Sequence, residues 1–255
     1  MSTNPFSLES KTILISGASS GIGRQSAISC SLAGASLVLL GRNKKRLEET
    51  ANLLGPSSSC KIYYFDLTDE EAVNGFIKSI NSSFITLDGV IHAAGVSTTL
   101  PLRFSSFDKQ ETILKTNVMG PINLTKELIK KKGALIDGSS VIFIASIMAT
   151  VGEIGKTLYG ISKGALVAGV KSMALELAPR KVRVNSISPG VVKSPMSASS
   201  AYSKDDESLA IIEKLHPLGI GDVADVANAC VYLLSDASKW VTGSNLIIDG
   251  GYTAR

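Results

Sequence analysis

The chain has 255 residues, 44% of them hydrophobic, and a formal net charge of +4. This suits one α/β domain spanning residues 1–255, and so mild a positive charge does not indicate a nucleic-acid partner. Because the sequence also lacks a membrane-length apolar run, a signal-peptide pattern and a metal-ligating or disulfide-forming cluster of Cys and His, we expect a cytoplasmic protein without a metal.

A buried strand and a glycine-rich turn open the chain. Residues 12–16 read Thr-Ile-Leu-Ile-Ser, the apolar pattern of a strand in a parallel sheet, and a helix-like stretch extends to about Ala33. The glycines between them permit a tight turn and close ligand approach, and a helix N-terminus presents N–H groups to a pyrophosphate. The predicted phosphate-binding residues are Gly17, Ser19, Ser20, Gly21, Ile22 and Gly23.

Strand-like and helix-like segments then alternate without a dividing linker. Further strands are predicted at residues 36–40, 61–65, 87–92, 139–145, 182–188 and 245–248, and helices near 43–54, 69–80, 107–130, 157–179 and 222–235. This alternation predicts a Rossmann-type, doubly wound α/β fold with a seven-stranded parallel sheet and helices on both faces. Ligands then bind beyond the carboxyl ends of the strands. The serine-rich residues 191–215 are predicted to form a substrate lid with a short helix.

An arginine follows the second predicted strand. In dinucleotide-binding folds an acid at this place binds the ribose 2′-hydroxyl of NAD, whereas an arginine accommodates the 2′-phosphate of NADP. Arg42 stands there, and its neighbour Gly41 provides no carboxylate to repel a phosphate. The pattern predicts NADP(H) as cofactor, with a merely solvated Arg42 as the alternative.

A tyrosine and a lysine lie four residues apart in the predicted helix 157–179. Tyr159 and Lys163 therefore share one helix face, which places the ammonium beside the phenol. A phenol ordinarily titrates near ~10, and a neighbouring cation lowers that pKa by favouring the phenolate. The pair predicts an acid/base group. The alternative is an ordinary solvated pair on the surface of a helix. The presence of a phosphate-binding loop in the same chain argues against this alternative.

These motifs together resemble the short-chain dehydrogenase/reductase family. The resemblance extends over residues 8–252 and rests on Gly17-x3-Gly21-Ile22-Gly23, His92-Ala93-Ala94-Gly95, Asn117, Ser146, Tyr159-x3-Lys163 and Pro189-Gly190, in the family's order and spacing. Within the family, the residues after Leu8 and those from Trp240 to Gly251 resemble 3-oxoacyl-[acyl-carrier-protein] reductases.

The resemblance implies a catalytic set of Asn117, Ser146, Tyr159 and Lys163. Ser146 would polarise a substrate carbonyl, Tyr159 would exchange the proton, and Lys163 would favour phenolate and bind the nicotinamide ribose. Asn117 would hold a water that passes protons to the lysine. An asparagine inside a helix is a locally poor choice, as expected at a functional site.

The resemblance also implies cofactor contacts along the strand ends. They are Arg42, Asp66, Leu67, Ala93, Gly95, Tyr159, Lys163, Pro189, Val192 and Ser194, besides the phosphate-binding loop. Asp66 would accept from the adenine amino group, with the N-cap of the following helix as its alternative role. The family more often has Asn where this chain has His92, which we interpret as a structural residue bonded to the backbone.

Three functions are compatible with these residues. The first is an NADPH-dependent carbonyl reductase or alcohol dehydrogenase, with 3-oxoacyl thioesters as leading substrates. The second keeps that chemistry for a sugar, polyol, steroid or xenobiotic ketone, and the third is a catalytically silent NADP(H)-sensing regulator. The partner is thus a small-molecule or carrier-bound carbonyl compound.

The helix 157–179 is apolar over more than one face. One stripe is enough to cover a sheet, so the remaining apolar residues predict contact with another copy of the chain. The set is Ala165, Leu166, Val167, Ala168, Val170, Met173, Ala174, Leu175 and Leu177. With the last strand as a second surface, we expect a homotetramer, and a dimer as the alternative.

Overall fold

A seven-stranded parallel sheet runs through the centre of the computed structural model, which describes residues 4–56, 58–83, 85–130, 134–200, 203 and 205–254. Its strands are β1 (Thr12–Ser16), β2 (Ser36–Gly41), β3 (Cys60–Tyr64), β4 (Leu87–His92), β5 (Leu135–Ile144), β6 (Arg183–Pro189) and β9 (Asn245–Ile248). They lie in the order β3-β2-β1-β4-β5-β6-β9. The predicted Rossmann-type sheet is confirmed.

Helices cover both faces of this sheet. They are α1 (Gly21–Leu32), α2 (Lys44–Ala51), α3 (Glu70–Ser82), α4 (Phe107–Leu114), α5 (Gly120–Ile129), α6 (Thr157–Leu177), α7 (Pro195–Ala198), α8 (Asp206–Lys214) and α9 (Val223–Leu234). Buried residues of α3, α5 and α6 pack in one core layer, and those of α1, α2 and α9 pack in the other.

The strand sequences explain the two layers. Successive side chains of a strand point to opposite faces, and in β1 Leu14 packs in the layer with α6 while Ile13 and Ile15 pack in the layer with α1. Both faces are covered, so the strand reads as continuously apolar rather than alternating.

Three details differ from the sequence-based expectation. The predicted helix 107–130 is interrupted by a π-helical segment, Lys115–Met119, between α4 and α5. Strand β5 begins at Leu135, earlier than the predicted residue 139. Two short strands, β7 (Val192–Lys193) and β8 (Gly221–Asp222), form a separate parallel pair that sequence patterns did not indicate.

The predicted lid follows β6. Its described part contains β7, α7 and α8, whereas residues 201, 202 and 204 lie outside the described residues. The sequence predicts one short helix here, and the described part of the lid has two. Within the described part of the chain, no helix combines the length and apolarity that a membrane span requires.

Candidate active site

A cleft of about 670 Å³ lies at the carboxyl ends of strands β1 to β6. Parallel strands bring their carboxyl ends to one edge of a sheet, and the residues that follow each strand therefore meet there. The cleft is lined by every predicted site residue except Asn117, which lies directly behind it, next to the lining residue Thr116. The sequence-predicted residues are thus brought together in one place.

The glycine-rich loop packs so tightly that two of its glycines have no room for a side chain. A Cβ at Gly17, whose φ is +71°, would lie 2.6 Å from the Ala94 nitrogen, and one at Gly23 would lie 2.3 Å from the Gly17 oxygen. This contact holds the start of α1 against the ends of β1 and β4. The requirement for glycine at both positions is therefore steric.

The N-terminus of α1 opens into the cleft. Ser20 is its N-cap in extended conformation, and no described side chain caps the helix or places an acid in its first turn. The first N–H groups of a helix lack partners within it and attract anions. This end of the cleft fits the pyrophosphate of a dinucleotide.

Arg42 and Asp66 face each other across the ends of β2 and β3. Their closest nitrogen and oxygen atoms are 3.5 Å apart, and the side chains are 71% and 42% exposed. Partial burial raises the pKa of the Asp66 carboxyl, but hydrogen bonds from Thr68 and the Arg42 charge outweigh it, and the pKa is lowered overall. The N-cap of α3 is Asp69 rather than Asp66, since Asp69 accepts from the Ala72 nitrogen at 3.0 Å. The alternative N-cap role of Asp66 was therefore wrong.

The acid/base residues lie at the other end of the cleft. Ser146 follows β5 and is 8% exposed; its hydroxyl oxygen accepts a hydrogen bond from the Met148 nitrogen at 3.2 Å. Tyr159 stands in the first turn of α6, and the Lys163 Nζ lies 5.7 Å from the centre of its ring. A hydroxyl, a phenol and an ammonium therefore line the same cleft.

Lys163 is buried without a carboxylate partner among the described residues. Its Nζ donates to the Ile144 carbonyl at 2.8 Å, and the residue is 5% exposed. Burial lowers the pKa of Lys163 to about 8. A lysine with this pKa exchanges protons near neutral pH, as an acid/base relay requires.

Asn117 braces the site from the π-helical segment. Its Oδ1 accepts from the Val96 nitrogen at 2.8 Å, and its Nδ2 donates to the Val96 oxygen at 2.9 Å and to the Ser162 hydroxyl at 3.0 Å. Both amide hydrogens are thus used in joining the loop after β4 to α6. π-Helical turns occur frequently at functional sites. The water-holding role expected from the resemblance stays a prediction.

Comparisons with known proteins agree with this geometry. A protein-family profile described as enoyl-(acyl carrier protein) reductase matches residues 17–253. A structure of a short-chain type dehydrogenase/reductase from Mycobacterium ulcerans is 30% identical, with a TM-score of 0.88 and coverage of 98% of this chain and 92% of that one. The chain belongs to the short-chain dehydrogenase/reductase family. It is therefore an oxidoreductase, of a family that uses NAD(P)(H).

Other family members similar to the chain carry different names. Carbonyl reductase family member 4 of Danio rerio is 32% identical, covering 95% of this chain and 98% of the relative. The 3-oxoacyl-[acyl-carrier-protein] reductase of Thermotoga maritima is 28% identical, covering 96% and 98%. A Beutenbergia cavernae structure assigned as an NAD(P)-dependent gluconate 5-dehydrogenase, with NADP bound at low occupancy, is 29% identical, covers 99% and 100%, and has a TM-score of 0.88.

His92 is structural, although its partner differs from the expected one. Its Nε2 lies 2.8 Å from the Thr125 hydroxyl, and its ring stacks on Phe143 at 4.7 Å between centres. The expected backbone partner was wrong, because the side chain points into the core, where α5 offers a hydroxyl. Burial lowers the pKa of His92 to about 3, so the ring is neutral.

Several cleft residues were missed by sequence reasoning. They are Ser97, Met148, Glu153, Lys156, Met196, Ile212 and Tyr252, which line the cleft beside the acid/base residues. Lys156 lies three residues before Tyr159, a spacing that places both on one helical face. That spacing could have predicted its place in the cleft. The sequence contains no comparable pattern for the lid residues, because their positions depend on tertiary packing.

Ser194 has a second role that the sequence did not indicate. It is the N-cap of α7, where its hydroxyl accepts from the Ser197 nitrogen at 3.2 Å and Ser197 bonds back to the Ser194 nitrogen at 2.9 Å. This reciprocal cap fixes the start of the lid beside the cleft. The predicted cofactor contact of Ser194 therefore comes from a residue held rigidly.

Proposed function

We propose that the protein is an NADP(H)-dependent carbonyl reductase that also catalyses the reverse alcohol oxidation. The observation that supports this best is that the uncapped N-terminus of α1 and the group of Ser146, Tyr159 and Lys163 line a single cleft. The N-terminus of α1 fits an anionic dinucleotide. The group of Ser146, Tyr159 and Lys163 provides a proton donor and a cation that stabilises the deprotonated form of that donor. A silent regulator would not need the second group.

NADP(H) is the cofactor we infer from Arg42. Its guanidinium is well exposed at the rim of the cleft, and Asp66 is its one ion-pair partner among the described residues. A 2′-phosphate bound there would accept bidentate, charge-assisted hydrogen bonds from the guanidinium. The NADP reported in the Beutenbergia cavernae structure supports this choice by similarity.

The remaining cofactor contacts follow the strand ends. The loop after β1 would hold the pyrophosphate, and Asp66 with Leu67 would hold the adenine. Ala93 and Gly95 would pass beneath the adenine ribose, while Pro189, Val192 and Ser194 would hold the nicotinamide carboxamide. All of these residues line the cleft.

The chemistry of this chain's own residues is proton transfer and polarisation. When bound, the nicotinamide supplies or accepts the hydride. The Ser146 hydroxyl would donate to the substrate carbonyl oxygen, where negative charge develops during reduction. The Tyr159 phenol would then give its proton to the same oxygen, or remove it from an alcohol in the reverse direction.

Lys163 and Asn117 would support that transfer. The buried Lys163 ammonium stabilises the phenolate left on Tyr159, because an adjacent cation favours the charged phenol. Asn117 hydrogen-bonds to Val96 and Ser162 and so ties the loop after β4 to the turn of α6 that carries Lys163. We assign it as a positioning residue that would also hold the proton-relay water expected from the resemblance.

3-Oxoacyl thioesters are the first substrates to test. Their support is the resemblance of both ends of the chain to 3-oxoacyl-[acyl-carrier-protein] reductases and the similarity to the Thermotoga maritima enzyme of that name. Sugar, polyol, steroid and xenobiotic ketones form the alternative set, and other family members similar to the chain carry carbonyl reductase and gluconate dehydrogenase names.

A substrate panel tests the proposed function. Purified protein is mixed with NADPH or NADH and with acetoacetyl thioester, sugar and steroid ketones, and loss of reduced cofactor is followed by absorbance. We expect turnover with NADPH of at least one ketone and weaker turnover with NADH. Oxidation of neither cofactor by any carbonyl compound, in a preparation that binds NADPH, would support the silent regulator instead.

A further inference from the structure

A second ammonium group lies next to the reacting tyrosine. The Lys156 Nζ is 5.9 Å from the centre of the Tyr159 ring, and the Lys163 Nζ is 5.7 Å from it. Lys163 is buried and bonded to a carbonyl, whereas Lys156 lines the open cleft. The roles of the two cations therefore differ, and the proton relay gives Lys156 no task.

The charge of Lys156 is poorly compensated. Its ammonium makes one long hydrogen bond, 3.5 Å to the Ser97 hydroxyl, and no carboxylate of a described residue lies within the 4.0 Å of an ion pair. Partial burial lowers the pKa of Lys156, and the nearby Glu153 carboxylate acts in the opposite direction without pairing. A half-buried cation without a carboxylate partner among the described residues favours an anion from outside the chain.

The position of a substrate determines which of its atoms can reach this cation. A carbonyl that accepts from Ser146 and Tyr159 lies at the first turn of α6, one turn after Lys156. The substituents of that carbonyl must extend along the cleft, whose wall carries Ser97 and Lys156 from the core fold and Met196 and Ile212 from the lid. A substituent directed toward that wall would meet the Ser97 hydroxyl and the Lys156 ammonium, whose nitrogen lies 5.9 Å from the centre of the Tyr159 ring.

We propose that Lys156 binds a carboxylate of the substrate, and that the enzyme acts on short oxo acids and the matching hydroxy acids. An ammonium and a carboxylate form a charge-assisted hydrogen bond, which is stronger in a partly buried site than in open water. The Ser97 hydroxyl would donate to the second carboxylate oxygen. This inference rests on the proposed carbonyl reduction and departs from the thioester candidate, since a thioester carries no charge next to its carbonyl.

Matched acid and ester substrates test the inference. Acetoacetate and methyl acetoacetate share one ketone and differ in charge, and levulinate with methyl levulinate places the carboxylate one carbon further away. With NADPH at neutral pH, we expect the wild-type enzyme to give a higher kcat/KM for the acid of at least one pair. The better pair reports the distance from the ketone to Lys156.

Variants assign that preference to the lysine. In Lys156→Met the acid-to-ester ratio of kcat/KM should fall about 10- to 100-fold, mainly through KM, as for loss of a hydrogen bond to a charged group. Lys156→Arg should retain most of the ratio because it keeps the cation. Glu153→Gln is the matched control, since it neutralises the opposite charge on the same wall and should keep or raise the ratio.

The possible failures are distinguishable. Reduction of the esters with equal or poorer use of the acids overturns the inference and leaves carbonyl reduction standing, as does an acid-to-ester ratio that Lys156→Met does not change. Absence of NADPH oxidation with acids, esters and thioesters, and also with the sugar and steroid ketones of the substrate panel, contradicts the proposed function, and the inference with it. Thermal unfolding of each variant checks that its fold is intact.

Discussion

His216 links the first residue of the lid, Val191, to helix α8 near the end of the lid, because its Nε2 accepts a hydrogen bond from the Val191 nitrogen at 3.1 Å. The other ring nitrogen, Nδ1, lies 2.8 Å from the Ile212 carbonyl in α8 and must therefore carry the proton. The ring is 2% exposed and packs on Tyr252, 5.0 Å between centres. A Cβ at Gly190 would lie 2.9 Å from the Asp249 Cα and 3.0 Å from the same Nε2, so the chain needs a glycine there.

Replacement of His216 by alanine should therefore loosen two cleft walls together. We expect the dissociation constant for NADPH and the KM for the carbonyl substrate to rise severalfold, and the free energy of unfolding to fall by about 1–3 kcal/mol, because the Val191 N–H loses its buried acceptor. Cofactor titration measures the dissociation constant, steady-state kinetics the KM, and urea unfolding the free energy of unfolding. Wild-type NADPH affinity in His216→Ala would show that cofactor binding does not depend on the link that His216 makes between Val191 and α8.

Removal of the Tyr159 hydroxyl should strongly reduce catalysis while preserving cofactor binding. Tyr159→Phe deletes the proton donor and keeps the ring, so kcat should fall about 10²- to 10⁴-fold, as expected for general acid–base catalysis. Tyr64→Phe is a suitable control, since Tyr64 is 58% exposed on β3, outside the residues that line the cleft. Near-normal turnover in Tyr159→Phe would mean that another group supplies the proton.

Arg42 should determine the preference for NADPH over NADH. In Arg42→Ala we expect NADPH affinity to fall about tenfold or more, the scale of a lost charge-assisted contact, with little change for NADH. Lys45→Ala removes the same net charge from an exposed neighbour that does not line the cleft. Equal effects of the two substitutions would attribute the preference to general electrostatics rather than to a phosphate site.

The sequence could reveal those features of the site that are formed by residues close together in the chain. The glycine loop and the Tyr159–Lys163 pair were predicted because their geometry follows from a turn or one helix face. The Arg42–Asp66 pair and the His216–Val191 bond join residues distant in sequence, so only the folded chain places them together. Asn117 shows an intermediate case, since its unfavourable place in a helix was apparent but the π-helical turn was not.

His92 should make the protein acid-sensitive. Burial lowers its pKa from 6.5 to about 3, so the unfolded chain takes up a proton between these values and the folded chain does not. The contribution of His92 to stability is thus complete above pH 6.5 and is lost as the pH falls towards 3. At pH about 4 the loss should reach about 3 kcal/mol.

His92→Asn is the informative variant, because asparagine cannot take up that proton. Its free energy of unfolding should fall less steeply than that of the wild type between pH 7 and pH 4, even if its stability at pH 7 is lower. Urea unfolding at several pH values gives both slopes. Parallel slopes for the two proteins would contradict a neutral, buried His92.

The exposed side of α6 should form an interface between copies of the chain. Four residues of the predicted apolar set are buried in the core: Leu166, Val170, Ala174 and Leu177. A second stripe remains on the outside at helical spacing. It consists of Ile161, Ala165, Ala168 and Leu175, of which Ile161 is 54% and Leu175 78% exposed. A stripe of this kind pairs with itself across a two-fold axis.

Leu175→Glu should therefore reduce the assembly. We expect light scattering at micromolar concentration to give a homotetramer for the wild type and a smaller species for the variant, since a charge buried at an interface lacks a partner. Leu32→Glu changes a comparably exposed leucine, 75% exposed at the end of α1, and should leave the mass unchanged. A tetramer needs a second contact, and we expect it at the edge strand β9, where Ile247 is 41% exposed. A wild-type protein that is monomeric and active would refute the interface and leave the outer stripe of α6 without a role.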